Sequence, residues 1–506
     1  MNKVTYLFLF FLIPVNLVFS QSINDPFSQK KMTKDFEIFK NIRLEANSGL
    51  YKYRTKAQID SIYNWAEIAI KKSTTYRDFF NIICQLTDFE GSLHNDTYLP
   101  KKISQSLRNE ESGYFPYPIK WIANKWIINY DKGEIPLGSE ILSINDEKIE
   151  TIVKNIYKYY TTDGVNTTGK RIGITKNFSK YFRLHYGSCK QFTITYKTKE
   201  TNEIKKTTLT SISNSAYSKN VAHRYSQPFD QVNYKHWQEN EIYNYKSIDT
   251  ETGILTINSF SIGNENDPKH LKYVSFLDSV FTSINAKNIK NVIVDIRYNG
   301  GGTDPNDIVT YSYLTNRNFS ENKQAWISFH KIPYLKYIDS NIPAFLRPLG
   351  VGKYNREFQK DFPKKEKEHF YQDSTSNDHK VWVPNKNAFN GSVYLLISPR
   401  VASAGSLFAA MVAGNQNTIV IGEETMGSYY GHNGHTKLEY VLPNSKLGIS
   451  FSVVNLEQDV PKKENQVYNR GIIPDYKVSQ TYEDYLKQKD TQMDFVLDLI
   501  KKNRAQ

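Results

Sequence analysis

A serine near the carboxyl end of the chain stands where a nucleophile would be exposed. Ser403 follows an apolar run typical of a buried strand and precedes a stretch of small residues with helical character. In α/β sheets, binding sites form at the carboxyl ends of parallel strands. The amino end of the next helix offers free N–H groups and a positive dipole end. The pattern predicts a nucleophile with oxyanion donors beside it, and helix N-capping is the alternative role for this serine.

A glycine-rich loop, residues 300–302, follows a second apolar run at residues 292–296. Glycine permits positive φ and a close approach of the backbone to a substrate. The loop can therefore offer a second oxyanion N–H group if it lies beside Ser403. Glycine turns after strands are common, so this loop gains meaning only together with the serine.

A nucleophilic serine requires a base, and three of the ten histidines compete for that role. His94 lies in a polar turn, residues 87–96, and is the leading choice. His432 and His435 lie in a glycine-rich segment and are the alternative bases. Their spacing also suits a metal-binding pair, but no third ligand is evident. We therefore predict neither a metal nor a cofactor.

Composition excludes several classes of protein. The 506 residues include 65 basic and 52 acidic side chains, a net charge of +13, and 39% are hydrophobic. This length suggests about three domains. The charge is dispersed without a basic patch, which argues against nucleic-acid binding. Two cysteines, Cys84 and Cys189, exclude a disulfide scaffold, a Cys-rich zinc site and an iron–sulfur protein, while their pairing stays open.

The first twenty residues have the form of a secretory signal peptide. A short basic start precedes an apolar run, and Val18 and Ser20 occupy the −3 and −1 positions of a cut after residue 20. We expect an exported protein of a bacterial periplasm, or one that is extracellular or envelope-associated. A membrane anchor is the alternative. No later apolar run reaches about 18 residues, so no stable membrane span is expected after signal removal.

Periodicity divides the remaining chain into parts of different character. Strand–helix–strand order predicts a mainly parallel sheet with helices on its faces, and the segment without clear periodicity predicts an insertion or lid. The predicted parts are a helical amino-terminal domain (21–112), a β-rich domain with strands at 121–130 and 191–196 (113–215), an α/β domain (216–480) with the insertion (315–390), and a carboxyl-terminal helix (481–506).

The β-rich domain contains a segment similar to the middle of a PDZ domain. A loop with Pro136 and Gly138 leads into an alternating strand, residues 141–145. PDZ domains bind peptide ends by adding a strand to a sheet edge. An ordinary small β-rich domain is the alternative.

Four segments resemble motifs of the S41 peptidase family, the tail-specific or carboxyl-terminal processing proteases and their tricorn-like and retinoid-binding-protein-like relatives. Their order and spacing match the family across roughly residues 250–476. The resemblance implies a ClpP/crotonase-type α/β core, with Ser403 as nucleophile and oxyanion N–H groups from Ala404 and Gly301. The segments are DIRYNGGG (295–302), LISPRVASA (396–404), GEETMG (422–427) and NRGIIPD (469–475).

The chain departs from the processing-protease branch at Ser428, where that branch has its catalytic lysine. The tricorn-like branch instead uses an amino-terminal histidine preceded by a serine, with a glutamate near the closing motif. His94 and Ser92 stand where that pair is expected. Tyr468 occupies the position of the glutamate, and Glu464 is the nearest substitute. The resemblance therefore leaves the acidic, orienting member of the relay open.

These observations predict an exported serine peptidase that hydrolyses peptides or unfolded protein segments through a Ser–His relay and a backbone oxyanion hole. The alternative is a catalytically weak or inactive S41-like protein that binds peptides or ligands. An acyl-CoA enzyme of the related crotonase fold is disfavoured, because CoA is cytoplasmic and the signal indicates export. Substrate sequence, cleavage position and oligomeric state are not predicted.

Overall fold

The computed structural model of the protein describes residues 22–224, 239–340, 347 and 351–505. The predicted signal peptide, residues 1–20, lies outside the described residues. Within them, no helix is both long enough and apolar enough to span a membrane. Cys84 and Cys189 are both free in this structure.

The described residues form helices and strands throughout their length. The helices are α1 Gln29–Ala46, α2 Lys56–Lys72, α3 Tyr76–Phe89, α4 Lys101–Arg108, α5 Ile149–Ile156, α6 Lys170–Tyr186, α7 Asn214–Arg224, α8 Glu239–Ile242, α9 Pro268–Ala286, α10 Asn306–Ser312, α11 Gly352–Asp361, α12 Ala404–Gly414, α13 Tyr482–Leu486 and α14 Thr491–Ala505. The strands are β1 Asp96–Tyr98, β2 Ile119–Ile122, β3 Lys125–Ile128, β4 Glu140–Ile144, β5 Glu147–Lys148, β6 Gln191–Lys197, β7 Ile204–Thr210, β8 Tyr243–Ser247, β9 Thr252–Ile257, β10 Asn291–Asp295, β11 Asn322–Ile327, β12 Lys364–Glu366, β13 His369–Tyr371, β14 Ser392–Ile397, β15 Thr418–Gly422, β16 Asn433–Val441, β17 Gly448–Gln458 and β18 Tyr476–Lys477.

The sheet that carries the serine is mainly parallel, as the order of strands and helices predicts. Its strands run in the order β18-β15-β14-β10-β9-β8. All neighbours are parallel except β8, which pairs antiparallel with β9. The two central strands, β10 and β14, are apolar because helices cover both of their faces.

Alternate residues of β10 point into different layers of the core. Val292 and Val294 belong to the layer that also contains residues of α9 and α12. Ile293 belongs to the opposite layer, together with Val496 and Ile500 of α14. The sheet is thus fixed between helices, which holds the carboxyl ends of its strands in place.

A second sheet joins the two ends of the chain. Its strands run β1-β17-β11-β13-β12, and β16 also pairs with β17. Strand β1 follows the amino-terminal helices, and it pairs antiparallel with residues 448–450 of β17. Residues 315–390, predicted as an insertion or lid, supply β11, β12 and β13 to this sheet. The predicted lid role is not tested by this pairing.

The third sheet is antiparallel and runs β2-β3-β4-β6-β7, with β5 paired to β4. The prediction of one strand over residues 121–130 is wrong. Ala123 and Asn124 adopt φ of 50° and 63°, so the chain reverses there and forms the β2–β3 hairpin. The alanine gives no sequence signal for a turn, since positive φ is typical of glycine and asparagine.

The amino-terminal helices begin at well-defined caps. Thr55 and Gln58 form a capping box at α2, and Thr75 and Asp78 form one at α3. These reciprocal hydrogen bonds satisfy N–H groups that a helix start leaves free. Helix α3 ends at Phe89, directly before the loop that carries His94. The apolar residues of these helices share one core with the third sheet and with β16 and β17.

Candidate active site

Ser403 occupies a sharp turn between β14 and α12. Its backbone has φ 51° and ψ −135°, and its side chain makes no capping hydrogen bond to the helix. Positive φ in a residue with a side chain costs about 1–3 kcal/mol and is typical of functional turns. The hydroxyl is therefore turned away from the N-cap role that was the alternative for this residue.

Among the described residues, His94 is the histidine within hydrogen-bond distance of this serine. Its Nε2 lies 3.2 Å from Ser403 Oγ, although the residues are 309 positions apart in the chain. Its Nδ1 lies 2.7 Å from the backbone carbonyl oxygen of Asn433. A carbonyl only accepts, so Nδ1 must carry the hydrogen of the neutral ring. Nε2 then presents its lone pair to the Ser403 hydroxyl.

Burial keeps the imidazole of His94 neutral. It lowers the pKa of His94 to about 4, and the hydrogen bond to Asn433 opposes that shift. Lys437 and His435 lower the pKa of His94 further through their positive charge. At neutral pH the ring is therefore in the form that can accept a proton.

The two predicted oxyanion donors differ in whether their N–H group already has an acceptor. Ala404 is the first residue of α12, where a helix has no internal acceptor for the N–H group. The N–H of Gly301 instead donates to Asn299 Oδ1 at 2.9 Å. In this conformation the side chain two residues earlier already accepts the Gly301 N–H, and the oxyanion role of Gly301 stays a prediction.

The glycine at position 301 is nonetheless required by its surroundings. Its φ is +105°, and a Cβ there would lie 2.7 Å from Ser403 Cβ and 3.1 Å from the Ala404 nitrogen. The backbone of the loop is thus in direct contact with the serine turn. The Ala402 N–H also donates to the Asn299 carbonyl at 3.4 Å, which ties the two strand ends together.

Asp163 fixes the loop that carries His94. One carboxylate oxygen accepts the Leu93 N–H at 3.0 Å, and the other accepts the Ser428 N–H, also at 3.0 Å. Burial raises the pKa of Asp163 to about 7, against the effect of both N–H groups. Ser428, which stands where the processing proteases have lysine, is therefore part of the support for the histidine loop.

A second buried acid anchors the start of the same loop. Glu90 lies 3.1 Å from Arg43 Nε, and its other oxygen accepts hydrogen bonds from Asn95 at 2.6 Å and from Asn47 at 3.2 Å. Burial raises the pKa of Glu90 to about 7. The loop from Glu90 to Asn95 is thus held at both ends.

The remaining relay members suggested by the resemblance do not meet His94. Ser92 is fully buried, and its hydroxyl has no hydrogen-bond partner within the described residues. Tyr468 is half exposed, and its hydroxyl donates to the Lys52 carbonyl at 3.2 Å. Glu464 is exposed. The orienting group is a backbone carbonyl, so a search for an acidic side chain could not find it.

The two alternative bases lie close by but in other roles. His432 is 2% exposed, and its ring centroid is 5.2 Å from that of His94. His435 lies 3.7 Å from an oxygen of Asp378, and these two residues form a triplet with Asp304. Sequence reasoning missed both aspartates, since neither stands at a ligand spacing from the histidine pair.

Charged residues of the resemblance motifs brace the strand ends. Arg470 donates two hydrogen bonds to Glu424, at 2.7 and 2.5 Å, which joins the closing motif to the GEETMG segment. Arg297 pairs with Asp295 at 2.7 Å and with Asp490 at 2.6 Å. These residues hold the segments around the serine rather than contact it.

Comparisons with known proteins bear on the family and the fold of this chain. Residues 251–478 match the sequence model described as peptidase family S41. The crystal structure of mature CPAF is similar over 90% of this chain and 94% of its own, with 13% identity and a TM-score of 0.58. Mature CPAF complexed with lactacystin is similar over 93% and 98%, again with 13% identity and a TM-score of 0.58. At this identity the likeness shows the fold alone. No curated protein matches the chain.

Proposed function

Since residues 251–478 belong to peptidase family S41, we propose that this chain is a serine peptidase with Ser403 as nucleophile and His94 as general base. The observation that carries the proposal is the 3.2 Å approach of His94 Nε2 to Ser403 Oγ. The family match supports a peptide or protein substrate. The family lysine is absent at Ser428, and His94 supplies the basic nitrogen in its stead.

The proposed reaction follows from the hydrogen bonds at the site. His94 Nε2 takes the proton of the Ser403 hydroxyl while Oγ forms a bond to the substrate carbonyl carbon. The Ala404 N–H stabilises the developing oxyanion at the positive end of α12. His94 then gives the proton to the leaving amine as the peptide bond breaks. Water then attacks the carbonyl carbon of the acyl–serine and gives a proton to His94. His94 returns that proton to Ser403 Oγ as the bond between Oγ and the acyl group breaks.

The backbone carbonyl of Asn433 performs one of the two tasks of a triad aspartate. It fixes the tautomer of His94 through the 2.7 Å hydrogen bond to Nδ1. It carries no full charge, so it stabilises the imidazolium less than a carboxylate does. We therefore infer a slower relay than a full triad, rather than an inactive one.

The finer architecture is also part of the proposal. The parallel sheet with helices on both faces supports a ClpP/crotonase-type core, and the third sheet with α5 supports a PDZ-like module. A cavity of about 790 Å³ lies between them, with Lys120, Arg171 and Arg400 among its lining residues. Ser403 does not line it, so we propose that this cavity receives a part of the substrate away from the cleaved bond.

Export remains a proposal based on residues 1–20. A signal peptide of this form predicts a mature chain that begins near residue 21 and lies in the periplasm or outside the cell. Amino-terminal sequencing of the protein recovered from a bacterial envelope fraction tests this directly. Recovery of the intact amino terminus from the cytoplasm would contradict it.

A fluorophosphonate probe tests the proposed nucleophile. We expect the wild-type chain to be labelled and to cleave unfolded protein, and Ser403→Ala to lose both properties. The matched control is Ser275→Ala, an exposed serine of α9 that donates to the carbonyl of Leu271 in its own helix. Cleavage by Ser403→Ala at the wild-type rate would reject the nucleophile. Peptide binding without cleavage or labelling would favour the non-catalytic alternative.

A further inference from the structure

An acidic cluster begins two residues after the glycine loop of the candidate active site and collects further acids from later segments of the chain. It consists of Asp304, Asp307, Glu321 and Asp378, with His435 at its edge. Ligand-capable atoms of Asp304, Asp307 and Glu321 lie within 4.8 Å of one another, and so do those of Asp304, Asp378 and His435. Asp304 therefore belongs to two overlapping triplets.

Three oxygens of the acidic cluster lack the hydrogen-bond donors that buried carboxylates normally have. Glu321 is 0% exposed, and neither of its carboxylate oxygens has a partner within the described part of the chain apart from the Asp307 carboxyl, with which it can share a proton. Asp307 is also 0% exposed. One of its oxygens accepts the Ile308 N–H at 3.0 Å, and the other has no partner. Buried polar atoms are nearly always partnered, so these oxygens indicate a missing ligand.

The charge of the cluster points to the nature of that ligand. Among the described residues, no lysine or arginine lies within ion-pair distance of Asp304, Asp307 or Glu321, and the imidazole of His435 is 3.7 Å from Asp378. Asp378 also accepts a hydrogen bond from Gln372 at 3.4 Å. A buried carboxylate without a counter-charge costs several kcal/mol. The cluster must therefore take up protons or a cation.

Electrostatics within the cluster agree with this need. Burial, followed by the neighbouring carboxylates, raises the pKa values of Asp304, Asp307 and Glu321. One proton shared between Asp307 and Glu321 satisfies at most two of the three partnerless oxygens, so one buried oxygen still lacks a positive partner. A divalent ion bound to Asp304 would belong to both triplets, because Asp304 is a member of each.

We propose that the acidic cluster binds one divalent cation through Asp304, Asp307 and Glu321, with Asp378 and His435 as further ligands on the other side of Asp304. Carboxylate oxygens suit Ca²⁺ and Mn²⁺, and the imidazole adds a ligand that transition-metal ions accept.

The position of this cation gives it a structural role at the active site. Asp304 follows Gly302 by two residues, and Gly302 ends the loop that contacts the serine turn. His435 follows Asn433 by two residues, and the Asn433 carbonyl holds His94. A cation in the cluster thus connects the loop beside Ser403 with the strand that orients the base.

Mn²⁺ binding to the Ser403→Ala chain tests the proposal without any need for peptidase activity. The full-length protein is stripped with a chelator, and free Mn²⁺ is followed by electron paramagnetic resonance during a titration. We expect saturation at one Mn²⁺ per chain and a rise in melting temperature. Glu321→Gln in the same background is expected to bind at least tenfold more weakly and to lose the rise.

Two further variants keep the test decisive. Asp498→Asn, on an exposed acid of α14 with 68% of its side chain accessible, is the control and should bind as the parent does. Asp378→Asn removes a less buried ligand and should also weaken Mn²⁺ binding. It serves as the ligand variant if Glu321→Gln does not fold. No saturable Mn²⁺ binding, or equal binding by both ligand variants and the control, would overturn the proposal.

Discussion

The two sides of the candidate active site differ in how the fold assembles them. The nucleophile side, residues 295–302 and 396–406, lies on the adjacent parallel strands β10 and β14 and the turns that follow them. The base side, residues 90–95, 161–164 and 433, collects three segments that are remote in sequence. One side follows from local geometry at a sheet edge, while the other exists only through tertiary contacts.

The two sides also use polar groups differently. On the nucleophile side the essential feature is backbone shape, with positive φ at both Gly301 and Ser403. On the base side it is hydrogen bonding, since Asp163 and the Asn433 carbonyl fix the loop and the ring. Changes on the first side should therefore act through steric fit, and changes on the second through lost hydrogen bonds.

Replacing His94, with its neighbour His432 replaced for comparison, should produce the largest difference in activity. We expect His94→Gln to lower kcat/KM by about 10³-fold, because it removes the proposed general base. His432→Gln should retain most of the activity, since its ring serves only as a neighbour 5.2 Å from His94. Initial rates on an unfolded protein substrate measure both. Equal losses in the two variants would show that the base side is not organised around one ring.

The nucleophile side is tested by adding one methyl group at either of two adjacent glycines. Gly301→Ala places a Cβ 2.7 Å from Ser403 Cβ, whereas a Cβ at Gly300 meets nothing within 4 Å. We expect Gly301→Ala to lower kcat by about 10²-fold through displacement of the serine turn. Gly300→Ala should stay near the wild-type rate. Similar kinetics for the two variants would contradict the proposed close fit.

The support of the base loop is tested by Asp163→Ala. The change leaves the buried N–H groups of Leu93 and Ser428 without their acceptor, which should lower the free energy of unfolding by about 1–3 kcal/mol. We expect a loss of activity smaller than that of His94→Gln, because the imidazole of His94 is still present and can still approach Ser403 for part of the time. Urea unfolding and kcat measure the two effects. Asp60→Ala, on a surface acid of α2, is the control.

The pH profile should reveal the smallest effect. Burial lowers the pKa of His94 to about 4, so the active, neutral ring is present above that pH and lost as pH falls through it. We expect kcat/KM to show no histidine titration between about pH 5.5 and 6.5. A base of ordinary pKa, about 6.5, would lose roughly tenfold by pH 5.5. A half-maximal rate near pH 6.5 that persists in both Asp163→Asn and Glu90→Gln, which remove the two nearby carboxyls of raised pKa, would contradict the lowered pKa of His94.

Much of the fold and part of the site could be predicted from the sequence. The apolar runs of β10 and β14 and the small residues after Ser403 are local signals, and the structure has the strands and the helix at those positions. The pairing of His94 with Asn433 carries no such signal, because any residue has a carbonyl. The same holds for Asp163, whose partners are backbone N–H groups of segments 70 and 265 positions away.

Two details that the sequence does not reveal have a common physical origin. The glycine loop and the family resemblance predict an oxyanion donor at Gly301, but the loop gives no sign that the Asn299 side chain accepts its hydrogen bond. The single strand over residues 121–130 was predicted from β-branched and aromatic content, but Ala123 and Asn124 reverse the chain. In both cases composition indicated the element, whereas the conformation of one or two residues decided its detail.

The pairing of β1 with β17 determines when the site can exist during synthesis. Residues 96–98 dock on residues 448–450, and His94 precedes that strand by only two positions. A nascent chain that has not yet released residue 450 from the ribosome therefore cannot bring the imidazole to the serine in this way. The approach of His94 to Ser403 can therefore form only after nearly all of the sequence has been translated.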